Sequence, residues 1–419
     1  MKEESPMIRA EEAIGRILKT ISPLPLERLD ILSALGRVLG EDVCAGRDIP
    51  PKDNSSMDGY ALRCQDTRGA SPEKPVILRV LEDIPAGSIP SCTIVAGTSA
   101  RIMTGAPLPE GANAVLRMED TERDGENVRI FVEVGESNDV RFTGEDVRSG
   151  ELVLPRGSIL RPPEIGMLAS LGRAYVSVHQ RPIVAILATG DELVDIDEAV
   201  SPWKIVSSNS YSLAALVMQC GGIPLQIGIA RDNREDLVAK FRAALRADLI
   251  VSSGGVSVGD YDLVKVVMKD VGNRMDFWRV AMRPGRPLAF GTIEGIPIFG
   301  LPGNPVSSMV SFEQFVRPSI LKMMGRVKIH RRVTKAILRE DVHKKEGLKY
   351  FIRGIVRLED GRPTVETTGE QGSGILKSMV RANALVVLPE NIVLAQAGDE
   401  VRVQLLDDYL DLTDIPGYE

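Results

Sequence analysis

The spacing of apolar residues changes along the chain, and each change predicts a different kind of element. Ile14, Ile17, Leu18 and Ile21 recur at three- and four-residue intervals, the stripe of an amphipathic helix that docks on a larger body and ends at Pro23 and Pro25. Ile31, Leu32, Leu35, Val38 and Leu39 predict a second short helix. From Cys44 to about Asp146 the pattern turns to short β-branched runs: Val76 to Val80, Thr93 to Val95, Ala114 to Leu116 and Val128 to Val132. Gly, Pro and Asp-Gly turns separate them, which reads as a small β-rich domain. Arg161-Pro162-Pro163 and Gly172 then bracket a helix from about Pro163 to Leu171.

Residues 181 to about 325 alternate strand and helix, the signature of a mostly parallel sheet covered on both faces. Ile183 to Leu187 and Leu225 to Ile229 are strands. The helices after them carry Leu213, Leu216 and Val217, closed by Gly221-Gly222, and then Leu237, Phe241 and Leu245. Leu249 to Val251 is an apolar run too short for a helix, stopped by Ser252-Ser253-Gly254-Gly255; Asp260 can cap the helix that Leu263, Val264, Val266 and Val267 begin. A strand pair follows around Phe277 to Met282 and Leu288 to Thr292, then a strand at Ile296 to Phe299. Asn304 as N-cap and Pro305 at the first helical position start the next helix. After Gly325 short strands return (Val333 to Leu338, Tyr350 to Val356, Ala384 to Leu388, Glu400 to Leu405), so residues 327 to 419 are expected to form a separate β-domain.

Composition narrows the function. A chain of 419 residues implies two to four domains. Net charge is -7 and aromatics make up 4%, which argues against a nucleic-acid trap or a base-stacking platform, so an anionic ligand must be held by local arginines or a metal. Cys44, Cys64, Cys92 and Cys220 form no C-x-x-C pair and are expected to be buried, reduced thiols. The three histidines are not at metal-ligand spacing, which argues against a histidine-rich zinc site. The start, MKEESPMIRA, has no apolar h-region and no run reaches the length of a membrane span, so a cytoplasmic protein without membrane contact is expected.

In an open parallel sheet, ligands collect beyond the carboxyl ends of the strands. Five polar loops follow strands in the middle domain. They supply Glu192, Ser207 to Asn209, Asp232, Ser257 with Asp260 and Asp262, and Asn304 with Ser307. Carboxylates, hydroxyls and amides without histidine form a hard-oxygen set that suits magnesium with a phosphate-bearing ligand. Each residue also has a plainer reading: Asp232 as a helix-start residue, Asp262 favoured by the helix dipole, Glu192 as a solvated loop acid. The glycines at Gly254 and Gly255 permit a turn that aims backbone N–H groups at an anion. In Arg279-Val280-Ala281-Met282-Arg283-Pro284-Gly285-Arg286-Pro287 the proline and glycine pin the backbone so that Arg283 and Arg286 can face one oxyanion. Neither a Walker A motif nor a G-x-G-x-x-G fingerprint occurs.

Five motifs carry a resemblance to a known family: Asn54-Ser-Ser-Met-Asp-Gly-Tyr-Ala61, Arg101-Ile-Met-Thr-Gly-Ala-Pro107, Thr189-Gly-Asp-Glu-Leu193, Ser253-Gly-Gly-Val-Ser-Val-Gly259 and Leu301-Pro-Gly-Asn-Pro-Val-Ser307. In this order, and over nearly the whole chain, they resemble the molybdopterin molybdenumtransferases, the MoeA-type molybdenum insertases related to the gephyrin E-domain. The resemblance implies an elongated homodimer of α/β multidomain chains: a linking α+β domain (27–44 and 147–177), an inserted β-domain (45–146), a MogA-like three-layer α/β domain with a mostly parallel sheet (1–26 and 178–326) and a C-terminal β-barrel-like domain (327–419). It implies that adenylylated molybdopterin and molybdate give molybdenum cofactor and AMP, with a divalent cation such as Mg2+. A transient contact with the molybdopterin adenylyltransferase goes with it.

Carried over by position, Glu192, Asp232 and Asp262 match acidic site residues and are assigned to the cation, with Ser257 on the pyrophosphate. Asp58, Thr104 and Asp146 match functional residues of the smaller β-domain, which faces the partner's cleft in the family's dimer. Pro302 and Pro305 match cleft-wall prolines. Arg283, Ser307, Arg353 and Ser373 match positions that hold molybdate. Ser208, Asn209, Gly254, Gly255, Arg286 and Asn304 complete the expected substrate contacts. Many family members carry lysines where this chain has Arg283 and Arg286, which keeps charge but changes geometry. A tungstate-preferring insertase, a gephyrin-like scaffold without catalysis and a nucleotide-phosphate hydrolase are the competing readings.

Overall fold

The computed structural model describes residues 7–254 and 273–406. They fall into two compact units. One takes the chain up to Leu29, Gly36–Gly40 and everything from Ser177; the other takes Asp30–Leu35 and Glu41–Val176.

The core of the first unit is a six-stranded sheet. Its strand order is Ile223–Ala230, Ile183–Thr189, Leu249–Ser253, Ile296–Leu301, Pro287–Ile293 and Asn273–Arg279. The first four run parallel, and the last two are joined antiparallel at one side. Alternation of side chains divides the burial between two faces. Val184, Ile186, Leu249 and Val251 meet residues of the Ala10–Thr20, Ser208–Gln219 and Pro305–Ser311 helices, whereas Ala185, Leu187 and Ile250 pack with Leu237 and Phe241 of the Arg234–Ala244 helix. Burial on both faces is why these strands read as unbroken apolar runs rather than alternating ones. The helix expected from Leu263 lies outside the described residues.

The helix that starts at Pro305 continues through a π-helical stretch, Phe312–Val316, into Arg317–Met323. Pro318 has no N–H to give, and the wider turn absorbs that break in the ladder. Behind it, the strands Lys349–Glu359, Arg362–Thr367, Val333–Leu338, Glu400–Leu405 and Ala384–Leu388 follow one another, and the last pairs with the first to close a five-stranded barrel. Leu338, Val365, Val386 and Val403 fill it.

The second unit holds a six-stranded mixed sheet with two cores. Tyr60, Leu62, Leu78 and Val128 belong to one, Ala61, Ala100, Ile102 and Val115 to the other. Gly59–Leu62 is buried throughout because it lies between two neighbours in that sheet.

Three expectations fail. Ile31 to Leu39 is not a helix: after one turn Gly36 adopts φ 76°, Arg37 buries its guanidinium on the His179 carbonyl (2.6 Å) and Glu27, and Leu39 makes a β-bridge with Val178. Thr93 to Val95 contributes only a bridge from Thr93 to Glu110; the strand is Thr98–Ile102, whose polar Thr98, Ser99 and Arg101 hide it from a hydrophobicity reading. Of the four free thiols only Cys220 is buried, with burial pushing its pKa up to about 12, whereas Cys44 is exposed. Among the described residues, no helix is long and apolar enough to cross a membrane.

Candidate functional site

The four parallel strands end level with one another. Thr189 stands opposite Ala230, Ala188 opposite Ser253, and Ser253 opposite Leu301. The residues that follow each strand therefore line one edge: Gly190 to Glu192, Arg231 and Asp232, Gly254, and Pro302 to Asn304. Three strand spacings separate the outermost of these, about 14 Å in all.

At one end of that edge, two acidic loops interlock. The Asp191 N–H donates to Asp232 Oδ2 at 3.3 Å and the Asp232 N–H to Asp191 Oδ1 at 3.1 Å. Helix capping is taken by the next residue, since Asn233 Oδ1 accepts from the Asp236 N–H at 2.9 Å, so Asp232 is not the helix-start residue. Glu192 is exposed, and its carboxylate folds over Gly190, where a Cβ would lie 2.5 Å from Oε2. Lys204 reaches back to the Asp191 carbonyl and the Ile205 N–H donates to the Glu192 carbonyl at 2.9 Å, which ties the 195–203 excursion to the loop.

The middle of the edge is held by Asn209. Buried at the start of its helix beside the exposed Ser208, it donates from Nδ2 to Ser253 Oγ at 2.7 Å and to the Gly303 carbonyl at 2.8 Å. Gly254 has φ 94°, and a Cβ there would come 2.6 Å from the Thr189 carbonyl oxygen, so only glycine lets these backbones approach. Gly255, Ser257, Asp260 and Asp262 lie outside the described residues. Glu192 and Asp232 supply the carboxylate oxygens a hard divalent cation takes, but among the described residues no group of three or more ligand side chains closes around an ion.

The far end carries positive charge. Gly285, at φ 90°, sets the Arg283-to-Arg286 turn against the helix beginning at Pro305: a Cβ on it would lie 2.4 Å from Ser311 Oγ and 3.4 Å from the Ser307 carbonyl. Ser307 and Pro302 are buried, Pro305 is half-buried, and Arg283 and Arg286 are exposed. Asn304 occupies the N-cap position without making the expected side-chain cap; its Nδ2 donates instead to Ser373 Oγ at 3.0 Å, while the Val306 N–H donates to the Ser373 carbonyl at 3.1 Å. The Ser373 loop is thereby docked on this helix. One residue before it, the Gly372 carbonyl accepts from Arg353 Nη2 at 3.1 Å.

Arg353 is 1% exposed, with Nε donating to Ser378 Oγ at 3.0 Å, and among the described residues no carboxylate pairs with it. Burial pulls its pKa down to about 10, which still leaves it charged at neutral pH. It lines a pocket of about 490 Å3 together with Arg283, His343, Lys344, Lys345 and Tyr350, and no described acid lines that pocket. Sequence reading found the two arginines and missed the other four. His343-Lys344-Lys345-Glu346 reads as a solvated charged run, and only the barrel's closure turns it toward Arg353.

In the second unit, Asp58 and Thr104 are brought together. Asp58 Oδ1 accepts from the Thr104 N–H at 2.7 Å and from its hydroxyl at 2.8 Å, and these bonds hold the carboxyl below its ordinary pKa. Asp146 stands on a separate exposed turn, its N–H donating to the Ile49 carbonyl at 3.1 Å.

The architecture defines a multidomain α/β protein whose mostly parallel sheet is joined to a closed barrel. The chain matches the MoeA N-terminal region (domain I and II) over residues 8–172, the probable molybdopterin binding domain over 185–322 and the MoeA C-terminal region (domain IV) over 335–406. Molybdopterin molybdenumtransferase 2 of Mycobacterium tuberculosis is 38% identical over 403 residues, covering 94% of this chain and 97% of that protein. The molybdopterin molybdenumtransferase of Nostoc sp. is 39% identical over 383 residues, covering 90% and 88%. The crystal structure of the molybdopterin biosynthesis moeA protein from Pyrococcus horikoshii OT3 superposes with a TM-score of 0.81 at 32% identity, covering 96% of this chain and 100% of that one. The chain belongs to the MoeA family of molybdopterin molybdenumtransferases, enzymes of molybdenum cofactor biosynthesis.

Proposed function

We propose that this enzyme inserts molybdate into adenylylated molybdopterin, releasing AMP and forming molybdenum cofactor. The observation that carries this reading is the position of Arg353: buried, charged, without a carboxylate partner among the described residues, and lining one pocket with Arg283 beside the docked Ser373 loop. A buried cation is costly unless an anion completes it. Arg283, Arg286 and Arg353, with Ser307 and Ser373, hold molybdate there. At the other end of the edge, Glu192 and Asp232, joined by Asp262, hold a divalent cation, Mg2+. When bound, the cation would supply charge neutralisation to the pyrophosphate.

Asn209 and Gly254, with Gly255 and Ser257, let the backbone approach the pyrophosphate, and Ser208 adds a hydroxyl. Pro302, Asn304 and Pro305 shape the wall between the two ends. Positioning, rather than a side-chain nucleophile, supplies most of the acceleration. Asp58, Thr104 and Asp146 complete the partner's cleft in a homodimer that works in the cytoplasm and receives its pterin from the adenylyltransferase. Titrating molybdate and tungstate against AMP release from adenylylated molybdopterin tests this. Saturable dependence on either oxyanion supports an insertase and ranks the two metals. Release that ignores both oxyanions supports a hydrolase, and no release at all supports a scaffold.

A further inference from the structure

Two cations flank one aromatic ring in the basic pocket. The Arg283 guanidinium carbon lies 5.7 Å from the Tyr350 ring centroid, and the Lys344 ammonium lies 5.0 Å from the same centroid. Both fall within the ~6 Å over which a ring face attracts a cation. The ring itself is pinned. Arg283 stands opposite Tyr350 in a parallel pairing of Met282–Arg283 with the Lys349–Glu359 strand, and the Tyr350 hydroxyl accepts from the Lys345 N–H at 3.3 Å.

Lys344 is fully committed. It is buried, and its ammonium donates to the carbonyls of Lys345 (3.2 Å), Leu348 (3.0 Å) and Glu390 (3.2 Å), which uses all three of its hydrogens. It is therefore a strut against the ring rather than a ligand group. Arg283, by contrast, is exposed, and its guanidinium makes no hydrogen bond or ion pair among the described residues. A long side chain in that state samples many rotamers unless something flat holds it.

We propose that Tyr350 is a positioning residue for Arg283, holding the guanidinium against a fixed ring so that it faces the same oxyanion as Arg353. The inference rests on the reading that this pocket takes molybdate. It also gives a physical reason for a ring beside an arginine: an ammonium is a point charge that binds from many directions, whereas a planar fork works only when oriented.

The test is a double-mutant cycle on the full chain, read as molybdate affinity by calorimetry and as half-saturating molybdate for AMP release. Tyr350→Leu is expected to weaken molybdate binding about two- to fivefold, the worth of one exposed cation–π contact, with half-saturating pterin unchanged. Tyr350→Phe keeps the ring and is expected to stay near wild type. In an Arg283→Ala background, Tyr350→Leu is expected to add nothing. Wild-type affinity in Tyr350→Leu, or the same loss with Arg283 already removed, overturns the positioning role alone. Failure of the unmutated enzyme to bind molybdate overturns the pocket assignment and the positioning role with it. If Tyr350→Leu does not fold, Tyr350→Met supplies a flexible apolar side chain without a ring.

Discussion

Asn209 and Gly303 are 94 residues apart in sequence and 2.8 Å apart in space, amide nitrogen to carbonyl oxygen. The same nitrogen holds Ser253 Oγ at 2.7 Å. One side chain thus fixes the loops after two neighbouring parallel strands. Asn209→Ala removes both bonds and leaves the buried Ser253 hydroxyl without this donor, whereas the carbonyl of the exposed Gly303 can turn to water, at a cost of about 1–3 kcal/mol. Urea denaturation measures the loss. A slower AMP release at a temperature where the variant is still folded would separate positioning from stability.

Glu192 and Asp232 are exposed and stand on adjacent loops, so neutralising them should leave the fold intact. Glu192→Gln and Asp232→Asn are each expected to lower kcat/KM for AMP release by roughly a hundredfold or more, the scale for removing one electrostatic stabiliser of a reaction centre. The thermal midpoint is expected to stay close to that of the wild type. A drop in midpoint as large as the drop in rate would reassign the acids to loop structure.

The Thr104 N–H and hydroxyl stabilise the ionised form of Asp58, so its folded pKa lies below the ordinary 3.8. The stabilisation is present in full above 3.8 and is lost as pH falls through the lower, folded value. Thr104→Ala removes one of the two bonds and is expected to move the Asp58 pKa back up toward 3.8, as read by carboxyl NMR titration. An unmoved titration would show that the backbone N–H alone sets it.

Glu313, 4% exposed, accepts from Arg331 at 3.0 and 3.2 Å and pairs with Arg317 at 3.8 Å. Glu313→Gln leaves Arg331, whose side chain is 9% exposed, short of this counter-charge. The change is expected to cost about 3–5 kcal/mol, the range for breaking a buried pair from one side. Equilibrium unfolding checks this, and Arg331→Met with Glu313→Gln should recover part of the loss.

Much of the fold is legible in the sequence because its dominant signals are local. Strands buried on both faces announce themselves as short apolar runs, and the observed Ile183–Thr189, Leu249–Ser253 and Ile296–Leu301 fall where such runs predict them. The chain between Ile31 and Leu39 misleads for the opposite reason. Its apolar spacing is helical, but Arg37 finds its partners at Glu27 and His179, and a distant carbonyl cannot be read from nearby residues. Asn304 misleads similarly: it looks like a cap, yet its amide goes to Ser373.

Taken alone, the sequence determined the alternation of strand and helix, the motifs that place the chain in its family, and the residue types available at each strand end. These follow from periodicity and composition, which act over a few residues. Only the tertiary structure decided that Arg353 is buried without a carboxylate among the described residues, that Asn209 spans two loops, and that Tyr350 and Lys344 stand behind Arg283. Those relationships depend on barrel closure and strand register, which bring together groups whose separation along the chain carries no local signal.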